Sequence, residues 1–174
     1  KKLRQSHLDW VKSTRDTGLI AEPILVEREK KIGHRYGVLR QISDATFNNR
    51  LADIAVKASD GPKALPALMT GLKDPDAAIR YWGAVGVGNI GPAARKAESA
   101  IRMALYDESS VVRTAAARAL CRLGQPKDAL PVLVKELNVG EQWERLHAAI
   151  VLDEIDEMAW PVVASMHKAL EPRG

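Results

Sequence analysis

The chain has one cysteine among its 174 residues, so no disulfide can form within it. Cys121 falls inside a helical stretch and reads as a small buried apolar residue. A nucleophile there would need a base and an oxyanion site, and neither is in view. Only 5% of residues are aromatic, and no strongly alternating, β-rich stretch stands out. No run of uncharged apolar residues approaches the roughly 18 that a membrane span requires. The stretch from Lys1 to Gly18 is charged throughout and does not read as a signal peptide. The chain starts without Met, on what reads as mid-helix sequence, so a fragment of something longer is expected.

Chemistry-bearing clusters are equally sparse. His7, His34, His147 and His167 share no metal-like spacing, and His7-x-Asp9 alone is a weak pair. Asp153, Glu154, Asp156 and Glu157 crowd one helix end. A calcium site needs oxygen ligands wrapped by a loop, so these read as a solvated acidic terminus. Gly83, Gly86 and Gly88 lie inside a helix and form no phosphate cradle. They read as positions that admit close helix packing, at a propensity cost near 1 kcal/mol each. No cofactor and no metal are expected in this segment.

The net charge of +4 and pI near 9.3 suggest nucleic acid until the charge is divided. Residues 1–44 hold 10 Lys and Arg against 6 Asp and Glu, while residues 45–174 hold 16 of each. A solenoid that tracks phosphates carries its basic stripe on the repeats. The neutral segment here argues against nucleic acid.

What the chain does have is a repeat. Asp74-Pro-Asp-Ala-Ala-Ile-Arg80 leads into an apolar run ending Asn89-Ile-Gly91. Asp107-Glu-Ser-Ser-Val-Val-Arg113 leads into one ending Arg122-Leu-Gly124. Gly140-Glu-Gln-Trp-Glu-Arg145 leads into one ending Glu154-Ile155-Asp156. The arginines are 33 and then 32 residues apart, a period that marks a stack of supersecondary units. Each unit parses as two helices. First helices are expected from Pro62, from Pro92, from Pro126 and near Met158. On these, Leu68, Ile101, Leu133 and Met166 are equivalent, as are Leu72, Leu105, Leu137 and Leu170, and the two rows form one stripe. Second helices align Ile79, Gly83, Val87 and Ile90 with Val112, Ala116, Leu120 and Leu123, then with Glu144, Ala148, Leu152 and Ile155. Asp76, Ser109 and Glu141 suit the helix starts, and Gly91 and Gly124 suit the ends.

An acid at the turn, an arginine six residues on and an alanine-rich second helix resemble HEAT repeats of the short bacterial kind. The fold class expected is an all-α, right-handed α-solenoid of about three and a half HEAT-type hairpins with a helical N-terminal lead-in. Residues 1–44 form that lead-in, as a cap or the tail of a preceding domain, and 45–174 form the solenoid. The resemblance implies that Asp74, Arg80, Asp107, Arg113 and Arg145 are structural links between neighbouring turns. The competing reading is an arginine ladder for anionic ligands.

A second resemblance rests on five pieces in order: His7-Leu-Asp-Trp-Val11, Arg15-Asp-Thr-Gly-Leu-Ile20, Ala78-Ile-Arg-Tyr-Trp82, Ala119-Leu-Cys-Arg-Leu-Gly124 and Arg145-Leu-His-Ala-Ala149. Together they resemble the C-terminal extension of bacterial sulfatases of the arylsulfatase and N-acetylgalactosamine-6-sulfatase type. That implies a non-catalytic segment of a sulfuric ester hydrolase, periplasmic or extracellular. Calcium and a formylglycine matured from Cys-x-Pro/Ala-x-Arg are then expected only in the parent's catalytic domain. Cys121-Arg-Leu-Gly-Gln125 lacks that motif, so no catalytic residue carries over.

The best candidate site is the outer face of the second helices. Tyr81, Thr114 and Leu146 are equivalent there, as are Trp82, Ala115 and His147, and Val85, Arg118 and Ile150. Tyr81, Trp82, Arg118, Trp143, Leu146, His147 and Ile150 are the candidate docking residues, for the chain's own catalytic domain or another protein. A packed inner helix also wants a wide apolar arc, so the same residues fit plain stacking. No membrane partner and no nucleic acid are expected. The alternatives are a stand-alone HEAT interaction module and a helical-repeat nucleic-acid-binding protein.

Overall fold

The structure is a computed structural model that describes residues 2–171; Lys1 and residues 172–174, at the outer ends of the two expected segments, lie outside it. In chain order the helices are α1 (Lys2–Thr14), α2 (Glu22–Ile32), α3 (Phe47–Lys57), α4 (Leu65–Gly71), α5 (Ala77–Ile90), α6 (Glu98–Ala104), α7 (Ser110–Arg122), α8 (Pro126–Val139), α9 (Gln142–Glu154) and α10 (Val163–Lys168). No strand occurs among the described residues. The protein is an all-α helical-repeat solenoid. α4–α5, α6–α7 and α8–α9 are hairpins whose second helices stack on one another, α3 packs on α5 as a lone second helix, and α10 lies against α8.

Local sequence explains the second helices. α5 starts where the Asp76 carboxylate accepts the Ala78 N–H at 2.8 Å, supplying one of the partners that a helix start lacks. Before α7 it is Asp107, not the Ser109 hydroxyl, that accepts a turn N–H, from Ser109 at 2.9 Å. α9 opens with the Glu141 N–H donating to the Glu144 carboxylate at 2.9 Å. The two rows of the first helices also bury as a stripe. Leu68, Ile101 and Leu133 are fully buried, while in the last copy Leu170 is 83% exposed.

Three first helices differ from expectation, and the one expected near Met158 opens as a 3-10 turn, Asp156–Val162, before α10 begins. The stretches beginning at Pro62 and Pro92 open as 3-10 turns, Pro62–Ala64 and Gly91–Ala97, before α4 and α6 begin. Pro66 has no N–H to return to the Pro62 carbonyl, which takes the Leu65 N–H in a tighter turn instead. Pro131 sits one turn inside α8, which nevertheless runs unbroken from Pro126.

The helical glycines sit at close approaches. A Cβ on Gly83 would lie 2.9 Å from the Leu72 backbone nitrogen and 3.0 Å from the Leu68 carbonyl oxygen, so α5 meets α4 backbone to backbone. The lead-in joins the same core. Ile20, Ile24, Leu25, Val38 and Leu39 share one buried cluster with the repeats as far as Ala159. On α1 only Val11 of the expected apolar face is buried; Leu3 and Trp10 are exposed, and the His7 ring stacks on Trp10.

Asp156 has φ 50°, at the helix end where Gly91 and Gly124 have φ 66° and 84°. A side chain pays a steric penalty in that left-handed region that glycine avoids. Asp156→Gly is expected to stabilise the chain by about 0.5 kcal/mol, read as a higher urea midpoint; a lower midpoint would refute the account.

Candidate docking face and its arginine ladder

Each turn between paired helices leaves carbonyl oxygens without helical partners, and an arginine one turn into the second helix reaches back to them. Arg80 donates to the Asp74 and Pro75 carbonyls at 3.0 and 2.8 Å. Arg113 donates to the Asp107 and Glu108 carbonyls at 2.8 and 3.0 Å. Arg145 donates to the Leu137 carbonyl at 2.9 Å. The forward side of each guanidinium then addresses the next unit. Arg80 grips the two oxygens of Asp107 at 2.7 and 2.9 Å and touches Glu108 at 3.1 Å. Arg113 meets the buried carboxylate of Glu136 at 2.7 Å.

The acid six residues before Arg80 and before Arg113 is therefore not its ion partner. Asp74 is held by Arg50, from the unit before. Arg50 also holds Asp44 at 2.7 Å, which gives the array a further rung at its start. Bonds from the Thr46 hydroxyl and Arg50 bring the Asp44 carboxyl down to about 2. Arg50 and Glu136 escaped the sequence reading. Arg50 had a signal, since Asp44 and Arg50 repeat the six-residue spacing. Glu136 had none, because it projects from α8 and not from the turn.

A second network ties the far ends of the second helices. Arg118 on α7 forks onto Glu154 of α9 at 2.7 and 2.6 Å and donates to the Asn89 side-chain oxygen of α5 at 3.1 Å. Asn89 in turn donates to the Ala58 carbonyl at 3.1 Å, beside the end of α3. Arg118 lowers the Glu154 carboxyl below its ordinary value.

Arg118 of the candidate docking residues is thus taken up by this network, and the others fall in two groups. Trp82 is half-buried and its indole N–H donates to the Leu19 carbonyl of the lead-in at 2.7 Å. Tyr81 packs its ring against Trp82 and against His147 across the stack, at 5.5 and 5.9 Å between ring centres. Thr114 and Ala115, equivalent to them on α7, are buried. Trp143, Leu146 and Ile150 of α9 are instead 39, 47 and 55% exposed. Cys121 is buried, and burial pushes its thiol up to about 11, away from the thiolate a nucleophile needs.

The model of the family described as HEAT repeats matches residues 65–153, from α4 through α9 and just over half of the chain. The chain belongs to the HEAT-repeat family. HEAT repeats commonly mediate protein interactions, and no helix among the described residues is long and apolar enough to cross a membrane. No curated protein matches the chain.

Two predictions follow from the geometry of these HEAT units. Arg80 is buried and its acid Asp107 is only 11% exposed at the side chain, whereas the Arg50 side chain is 37% exposed. Removing one partner of a buried pair strands the other charge. Arg80→Gln should cost about 3 kcal/mol and Arg50→Gln about 1 kcal/mol or less in urea titrations; equal losses would contradict the assignment. The His147 Nδ1 is buried without a partner. Burial first, and Arg118 second, lower its pKa from 6.5. The folded state resists the proton that the unfolded chain accepts, so this contribution is present above pH 6.5 and is lost as pH falls through the lower folded value. His147→Phe should flatten the decline in stability below pH 6.5; an unchanged slope would show that His147 plays no part.

Proposed function

We propose that the chain is a non-catalytic scaffold that docks a neighbouring protein domain on the exposed face of α9. The observation that carries this is the apolar stripe Trp143, Leu146 and Ile150, spaced three and four residues apart on one helix. At the equivalent register α7 presents Thr114, which is buried, and Arg118, already satisfied by Glu154 and Asn89. Contiguous exposed apolar surface on a folded domain marks a contact site more often than a solvated one. The cations Arg50, Arg80, Arg113 and Arg118 each have a carboxylate partner, which weighs against an anionic ligand ladder and against nucleic acid.

For the partner we propose the catalytic domain of a sulfatase on the same polypeptide, in the periplasm or outside the cell. The support is the five sequence pieces that resemble the C-terminal extension of such enzymes. Calcium and formylglycine would belong to that other domain. A stand-alone HEAT module would use the same α9 face toward a different protein.

Reading the natural coding sequence ahead of Lys1 tests the parent. An in-frame Cys-x-Pro/Ala-x-Arg motif is expected, and a preceding domain of another class removes the sulfatase reading. With the preceding domain in hand, Trp143→Asp combined with Ile150→Asp should weaken its association at least about tenfold. Unchanged association would remove the docking face.

A further inference from the structure

The ladder is incomplete at one end. Arg50, Arg80 and Arg113 each meet an acid of the following unit: Asp74, Asp107 and Glu136. Arg145 does not. Its guanidinium donates only to the Leu137 and Ala169 carbonyls, both at 2.9 Å. Among the described residues no carboxylate pairs with it. Glu171, which follows Arg145 by 26 residues and so falls within the register of the earlier acids, stands exposed.

Arg145 opens onto a groove of about 650 Å³ whose apolar walls include Leu137, Leu146, Ala149, Leu152, Met166 and Leu170. One repeat earlier the same positions are Leu105, Arg113, Thr114, Ala117 and Leu120. There the apolar members are buried where α8 and α9 stack on α7. The groove is thus the seat of a second helix, because Met166 and Leu170 belong to the segment equivalent to α8, and it carries a cation that every earlier seat matches with an acid.

We propose that this groove binds an amphipathic helical segment of a partner protein that brings one carboxylate to Arg145, in imitation of the next repeat. Charge fixes the chemistry of the occupant. Arg145 and His167 line the groove with Glu141 on its rim, so a single acid beside an aliphatic face is favoured and a wholly acidic peptide is not. This rests on the reading of the chain as an interaction module and names a surface beyond the α9 stripe.

The chain supplies its own probe. Residues 107–123 hold the turn with Asp107, which satisfies Arg80, and the second helix α7. A fluorescein-labelled peptide of that sequence should bind the chain saturably by fluorescence anisotropy. Peptide Asp107→Asn should bind about tenfold more weakly, the loss expected of a charged hydrogen bond. Protein Arg145→Gln should show a similar loss and abolish the difference between the two peptides. Leu170→Asp, at a residue 83% exposed and so harmless to folding, should also weaken binding about tenfold or more. Absent binding, or binding indifferent to Arg145 and Leu170, overturns the proposal. So does a natural full-length chain that excludes the peptide, because its own following residues would then fill the groove. The α9 face is read separately by the Trp143 and Ile150 variants, which can fail while the groove stands, or stand while it fails.

Discussion

The buried fork between Arg80 and Asp107 sets the geometry of the array. All five guanidinium N–H groups of Arg80 are used: two on Asp107, one on Glu108 and two on the Asp74 and Pro75 carbonyls. Full use matters, because a buried guanidinium repays its desolvation only when its remaining donors are also satisfied. One side chain thereby locks the turn of its own hairpin to the turn of the next. The helix surfaces between the turns cannot do this alone. α5 offers Gly83, Gly86 and Gly88, and α7 offers Ala115, Ala116, Ala117 and Ala119. Such small side chains permit close contact but interlock weakly, so the contact tolerates sliding. A directional, charged rung supplies the register that the smooth apolar seam lacks.

The second network works on the same seam from the other end. Arg118 spans three second helices through Asn89 and Glu154, and Asn89 extends the chain of bonds to the Ala58 carbonyl beside α3. The second helices from α3 to α9 are thus tied to one another at both ends. The cost is that both sets of cations are turned inward. Arg50, Arg80, Arg113 and Arg118 are each spent on an acid of another unit.

The sequence made the repeat legible because an arginine period and a four-residue apolar spacing are direct images of side-chain position. The helix pairs and the buried rows at Leu68, Ile101 and Leu133 followed from that. Where bonds go between units was less legible. Asp74 and Arg80 stand six apart, as do Asp107 and Arg113, yet each carboxylate serves the arginine of the preceding unit, and nothing in linear spacing says so. Asp44 and Arg50 carry the same signature, but a segment boundary drawn after residue 44 separates them. The docking face was legible as a register and not as a surface. Tyr81, Trp82 and Leu146 align, but the lead-in reaches Trp82 through the Leu19 carbonyl, and only folding places a non-repetitive segment there.

The end of the array differs from its middle for a reason built into stacking. An inner unit spends one face on the unit before and the other on the unit after, so its apolar residues and its arginine are consumed twice. Among the described residues, the α8–α9 unit meets a full hairpin on one face and only the segment around α10 on the other. Its wear is selective: Glu144 replaces an aliphatic and bonds Ser110 and the Glu141 N–H, and Asp156 takes over the left-handed helix end. Yet Leu146, Met166 and Leu170 stay apolar, and Arg145 stays in register. A unit degraded merely to face water would be expected to lose those features too. Polarity has been added to the start and the stop of α9, while the seat beside Arg145 keeps the shape of an interface.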